Sequence, residues 1–150
     1  IGGKKAAAIT LLGDGLKGWI PVFTAQLLGM PPLILALAGM AAFLGHLYPV
    51  FFGFKGGKGV ATALGVQFGW SWVIGLAVAG CWLFVAKILK ISSLAALISM
   101  SLAPAIVWYF SGQPMLIVAQ VLITLLLIWR HRSNIKNMLA GEETRIDQPD

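Results

Sequence analysis

An all-α, polytopic membrane helix bundle is the fold class this sequence predicts, and three observations predict it. The 150 residues are 59% hydrophobic and 11% charged, against roughly 25% charged in soluble domains, and the mean hydropathy is +0.88. Three runs carry no Lys, Arg, Asp or Glu: Gly18 to Phe54, Gly59 to Ala86 and Ile91 to Trp129, which are 37, 28 and 39 residues long. The basic residues behind the net charge of +6 gather between those runs.

The elements follow in order. A hydrocarbon core takes about 20 helical residues, so the first and third runs each supply two crossings. The first crossing begins near Ile9 and ends at Leu28, and the Gly29-Met30-Pro31-Pro32 turn reverses the chain into the second. The middle run is long for one crossing and short for two. A single crossing would put Lys87 and Lys90 opposite Lys55 and Lys58, whereas a fold-back near Gly69-Trp70-Ser71 keeps every basic cluster on one face. The expectation is therefore a short or half-depth helix from Gly59 to about Gly69, then a full crossing from about Ser71 to Lys87. The third run folds into a hairpin at Ser111-Gly112-Gln113-Pro114, and its second helix is expected to continue unbroken through Arg130 to Asn137.

About six transmembrane elements result, with residues 1–140 as one helical domain and 141–150 as a short, partly loose tail. The positive-inside rule makes the shared face of Lys4, Lys5, Lys55, Lys58, Lys87, Lys90, Arg130, Arg132 and Lys136 cytoplasmic. These basic residues lack interleaved stacking aromatics, which argues against nucleic acid and for anionic headgroups or phosphorylated substrates. A single cysteine, Cys81, excludes an intrachain disulfide and reads as packing. The chain starts at Ile1 with no cleavable signal pattern, and reads as an incomplete copy of its parent.

Chemistry concentrates in two segments. In Gly45 to Thr62, GHLYPVFFGFKGGKGVAT, glycines let backbone N–H groups converge on an anion while Lys58 adds a point charge. The plainer alternative is a basic turn that orients its neighbours. A nucleotide P-loop is excluded by counting, since three residues stand where four are needed and Gly59 occupies the magnesium-binding Ser or Thr position. A phosphate cradle remains, built from Gly56, Gly57, Lys58 and Gly59 at the start of the helix opening near Val60. His46, on the preceding helix, is either a further substrate contact or a polar packing residue. Asp14 and Lys17, three apart on one helical face, form either a supporting pair beneath the site or a boundary pair with Lys17 reaching the interface.

The second segment is Arg130-His131-Arg132-Ser133-Asn134-Ile135-Lys136-Asn137. His131 and Asn134 share a helical face, where His can bind phosphate or accept a hydroxyl proton and Asn can orient a polyol hydroxyl. Gly141 allows a turn that brings Glu142 or Glu143 back over the site. A membrane-anchoring end would explain Arg130, Arg132 and Lys136, but it does not call for His131, Asn134 and Glu143.

With these residues in view, the chain resembles the bacterial membrane glycerol-3-phosphate acyltransferases that use acyl phosphate as donor, the PlsY family. The resemblance lies in Gly45 to Thr62, in Arg130 to Ile135 followed by Gly141 to Glu143, and in Gly3 to Lys5 and Asp14 to Gly18. It covers essentially the whole chain. It implies transfer of a fatty acyl group from acyl phosphate to the 1-hydroxyl of sn-glycerol 3-phosphate, giving lysophosphatidic acid and phosphate, in the bacterial inner membrane with the active face cytoplasmic. It also implies seven membrane helices in a complete member. The family's first motif, with its substrate-site Ser and Arg, has no counterpart here, because Ile1 matches the position just after it. A chain without that motif is expected to fall short of full activity.

Carried over residue by residue, Lys58 and the Gly56-Gly57 backbone would bind phosphate, His131 and Asn134 would bind and orient glycerol phosphate, and Glu143 would organise them. No cofactor, metal or nucleic acid is implied; the partners are the two substrates and membrane lipids. No enzyme nucleophile is evident, so direct attack by the substrate hydroxyl is the simpler course, with the base either His131 or a substrate phosphate. Two other classes stand against the enzyme. A transporter would use Asp14 and Lys17 as a coupling pair but lacks an inverted repeat. A scaffold would explain the basic face but not His131, Asn134 and Glu143.

Overall fold

The computed structural model describes residues 3–49, 53 and 56–147, and every described element is α-helical: α1 (Lys4–Leu27), α2 (Pro32–Leu47), α3 (Val60–Trp70), α4 (Trp72–Leu89), α5 (Ser92–Ser111), α6 (Pro114–Arg130) and α7 (Arg132–Ala140). Lys55 lies outside the described residues, as does the side chain of Lys4. Helices α4 and α5 are each long and apolar enough to cross a membrane unaided, and α6 meets the same measure only when taken together with α7, from which it is bent by 53°. Leu76, Leu83, Phe84, Trp108, Leu122 and Leu125 are exposed around the bundle, as a lipid-facing belt requires.

Both predicted hairpins form where the turn residues stand. Gly29 takes φ +66 and Pro32 opens α2, while Gly112 takes φ +59 and Pro114 opens α6. The fold-back in the middle run is also present. Ser71 alone separates α3 from α4; it is extended, and its hydroxyl accepts from the Val73 N–H at 3.2 Å. Past it the chain reverses, so that Trp72 packs on Phe68 at 5.4 Å while Trp82 returns to the level of Val60. With 11 residues, α3 is about 16 Å long, roughly half the depth of a hydrocarbon core of about 30 Å.

What holds this short helix in place is close backbone approach to α1. A methyl group on Gly65 would strike the Gly15 carbonyl oxygen, one on Gly18 the Thr62 carbonyl oxygen, and one on Gly69 the Val22 side chain. Paired small residues let two helices approach where lipid supplies no hydrophobic drive. The Thr62 hydroxyl then donates to the Asp14 carbonyl at 3.0 Å. On its other side α3 meets α5 and α6 through a buried polar chain. Gln67 Nε2 donates to Gln120 Oε1 at 3.0 Å, Gln120 Nε2 to Thr124 Oγ1 at 3.2 Å, and Thr124 Oγ1 to the Met100 carbonyl at 2.8 Å. Around that chain lies an apolar core of Phe43, Leu47, Ile74, Met100, Ile123 and Leu127.

One expectation fails. The last crossing is not continuous with residues 130–137: α6 stops at Arg130 and α7 leaves at 53°. The cause is local. The His131 N–H reaches both the Leu127 and Ile128 carbonyls at 3.0 Å, and the His131 ring Nδ1 also takes the Leu127 carbonyl at 2.8 Å. A side chain competing for the helix's own acceptor tightens and ends the last turn.

Candidate active site

A cavity of about 480 Å³ opens at the end of the bundle where α3 and α5 begin and α6 ends. Lys58, His131, Asn134 and Glu143, which the sequence singled out, all line it. Gly141 takes φ +74 as the left-handed cap of α7, and the chain past it turns back across the cavity mouth. There Glu143 Oε1 accepts from Asn134 Nδ2 at 2.6 Å and from the Ser93 hydroxyl at 2.5 Å. The Ile146 N–H donates to the Lys90 carbonyl at 2.7 Å, so residues 143–146 form one wall.

The electrostatics set each group's role. Burial alone would raise the Glu143 carboxyl, but hydrogen bonds from Ser93 and Asn134 and the charge of Lys58 outweigh it and hold its pKa below the ordinary 4.5. It is a carboxylate at neutral pH. His131 is 2% exposed, and burial is the main reason its pKa lies below 6.5; Lys58 lowers it further, against the Leu127 carbonyl and Glu143. The ring is therefore neutral near pH 7. Because Nδ1 faces a carbonyl, it carries the proton, which leaves the lone pair on Nε2. Asn134 is fixed in the same way: Nδ2 is committed to Glu143, and the buried Oδ1 has no protein partner. A neutral imidazole, an unused amide acceptor and a lysine thus share one cavity, a set that suits a polyol phosphate.

The remaining predicted residues sit behind this wall. Gly59 caps α3 at φ +86, and a Cβ there would collide with the Phe43 ring. Gly56 and Gly57 lie against the end of α2, where a Cβ on Gly57 would come within 2.5 Å of His46 Nε2. His46 is under the glycine loop, not on the cavity wall, with Nδ1 3.5 Å from Asp14, which in turn pairs with Lys17 at 2.7 Å. Asp14, Lys17 and His46 therefore form one cluster beneath the loop. Sequence reasoning missed Ser93, Trp82 and Arg145 on the wall, and it read Arg130 only as a membrane anchor. Nothing local marks Ser93, whose partner Glu143 is 50 residues away. Among the described residues no three His, Cys, Asp or Glu side chains converge on a metal-sized site.

Leu11, Val60 and Trp82 also line a second, apolar groove of about 720 Å³ between α1, α3 and α4, walled further by Leu12, Leu16, Leu64, Trp19, Phe68 and Trp72. The cavity that holds Lys58, His131, Asn134 and Glu143 shares one edge with this apolar groove.

Comparison with known proteins gives a consistent picture. The family model described as glycerol-3-phosphate acyltransferase matches residues 1–141. A glycerol-3-phosphate acyltransferase of Hydrogenovibrio crunogenus is 59% identical over 145 residues, covering 96% of this chain and 69% of the relative. That of Methylococcus capsulatus is 51% identical, covering 97% and 74%. Among solved structures, the crystal structure of PlsY (YgiH), an integral membrane glycerol 3-phosphate acyltransferase, in its glycerol 3-phosphate form superposes with a TM-score of 0.91 at 40% identity, over 95% of this chain and 72% of that one. The lysophosphatidic acid form of the same enzyme gives 0.90.

Proposed function

The chain belongs to the glycerol-3-phosphate acyltransferase family, and from that premise we propose that it transfers a fatty acyl group from acyl phosphate to the 1-hydroxyl of sn-glycerol 3-phosphate. The products are lysophosphatidic acid and inorganic phosphate. The observation that carries this reading is the shared edge between a cavity of about 480 Å³ holding Lys58, His131, Asn134 and Glu143 and an apolar groove: the substrates are one water-soluble anion and one lipid anion, and they must meet at that edge.

In this mechanism the substrate phosphate lies against Lys58 on the cavity wall, at the amino end of α3, with the N–H groups of the glycine loop behind Lys58 adding to its pull on the anion. Asn134 Oδ1 accepts from a glycerol hydroxyl, and Glu143 keeps the amide turned the right way. His131 Nε2 takes the proton of the 1-hydroxyl as its oxygen attacks the acyl carbon. The bond from carbonyl carbon to phosphate oxygen breaks, and inorganic phosphate leaves with the electron pair. A mixed anhydride has a good leaving group, so positioning and charge stabilisation supply most of the acceleration. Cys81, which is not on the cavity wall, takes no part.

The reading extends to placement: the helical domain of residues 1–140 spans the bacterial inner membrane, its basic end is cytoplasmic, and residues 141–150 form a short tail that contributes Glu143 to the site. Anionic membrane lipids are its surroundings. The test is release of phosphate from synthetic acyl phosphate by the full-length protein, with and without sn-glycerol 3-phosphate and without CoA or nucleotide. Stoichiometric lysophosphatidic acid supports the proposal; uptake of glycerol phosphate into liposomes without acyl transfer would hand the case to a transporter.

A further inference from the structure

We propose that Arg130 is a positioning residue for the glycine loop: its guanidinium sets the peptide planes of Gly56 and Gly57 and hence the direction in which the loop's N–H groups meet a substrate phosphate. The inference deepens the functional reading above and rests on it for the identity of the ligand.

Arg130 Nη2 donates to the Gly56 carbonyl at 2.7 Å and to the Gly57 carbonyl at 3.1 Å, and Nε reaches the Gly57 carbonyl at 3.3 Å. One planar fork thus engages two consecutive carbonyls across 73 residues of sequence. A trans peptide is rigid, so turning the carbonyls of Gly56 and Gly57 toward Arg130 turns the N–H groups of Gly57 and Lys58 the opposite way. This constraint matters because glycine has little intrinsic preference of its own. Neither glycine can be replaced by a stiffer residue, since a Cβ on Gly56 would strike the His46 and Leu47 carbonyls and one on Gly57 the His46 ring. The loop is therefore pressed on α2 from one side and held by Arg130 from the other.

Released from Arg130, the two carbonyls would be free to rotate and present negative oxygen to the same space as the phosphate, with an opposite effect on the anion. The residue also couples two halves of the site. Arg130 ends α6 immediately before His131, so one helix end aligns both the loop that holds phosphate and the imidazole that faces the hydroxyl. Lysine cannot reproduce this, because an ammonium is a point charge without the fork.

The experiment uses the full-length protein in detergent, with Arg130→Ala and Arg130→Lys. Losing hydrogen bonds from a charged donor predicts that Arg130→Ala raises the KM for sn-glycerol 3-phosphate about tenfold or more, with a smaller loss in kcat. Arg130→Lys should recover only part of it. In a second arm, amide hydrogen exchange without substrate should be at least about tenfold faster at Gly57 and Lys58 in Arg130→Ala and unchanged in the buried part of α5. Unchanged KM and unchanged exchange, full rescue by lysine, or a fall in kcat with a lowered melting temperature at constant KM would each overturn the proposal. A wild-type protein that transfers no acyl group would overturn the functional reading instead, while the exchange arm would still decide whether Arg130 orders the loop.

Discussion

Among the described residues Lys58 is the loop cation on the cavity wall, and replacing it by Ala is expected to have two separable effects. The first is lost phosphate binding. A charge-assisted hydrogen bond contributes about 1.5–3 kcal/mol, so acyl transfer at low substrate should fall by roughly one to two orders of magnitude, at 1.36 kcal/mol per tenfold. The second is a shift in pH dependence. In the proposed mechanism His131 accepts the hydroxyl proton and must be neutral, so activity is expected to fall as pH drops through its pKa, which lies below 6.5. Lys58 is one of the causes holding that pKa down, after burial. Its removal must move the acid limb of kcat/KM to higher pH. Lys90→Ala is the control: it keeps the backbone carbonyl that holds Ile146 and removes only an ammonium in an exposed ion pair with Asp147 at 3.5 Å, which water and salt weaken. The assay is initial rate of lysophosphatidic acid formation from pH 5 to pH 8, with side-by-side variants. Equal rates for the two variants, or an acid limb that stays put in Lys58→Ala, would refute the reasoning.

Other expectations follow from the same geometry. Gly65→Ala forces a methyl group onto the Gly15 carbonyl and should cost about 1–3 kcal/mol, lowering the melting temperature, whereas Gly80→Ala, with nothing within 4 Å, should be neutral or slightly stabilising. Equal melting curves would remove the close-packing account of α1 and α3. Acid should destabilise the fold in two stages. Buried His131, with its pKa below the unfolded 6.5, loses stability as pH falls from 6.5 through the folded value; Glu143 does so below 4.5. His131→Gln should weaken the upper stage of a melting-temperature profile and leave the lower one in place. Single-cysteine labelling in intact cells should find the positions of Lys58, Lys87 and Arg132 accessible from the same, cytoplasmic side; opposite accessibility of Lys58 and Lys87 would break the topology.

Composition and punctuation determined the membrane bundle, because lipid leaves a chain few options: apolar runs must be helices, and Gly-Pro turns and basic clusters mark their ends. The fold-back at Ser71 was legible for the same reason, since charge parity forbade a single crossing of the middle run. His131, Asn134 and Glu143 were legible as polar residues that an anchoring end does not call for, and Lys58 as the charge of a glycine loop that could equally have been a basic turn. Only tertiary structure decided which groups each of them meets. That Asn134 spends its amide N–H on Glu143 and keeps its oxygen free, that Ser93 completes the carboxylate, and that Arg130 reaches back to the glycine loop are contacts between residues 9, 50 and 73 or more positions apart. The bend at His131 belongs with them, because helical periodicity runs straight through residues 130–137 and says nothing of a ring that takes the Leu127 carbonyl. The glycines of α1 and α3 read singly as flexible points, and became a packing surface only when the two helices were laid side by side. A sequence fixes which groups are available and which medium surrounds them; which donor meets which acceptor depends on distances that folding sets.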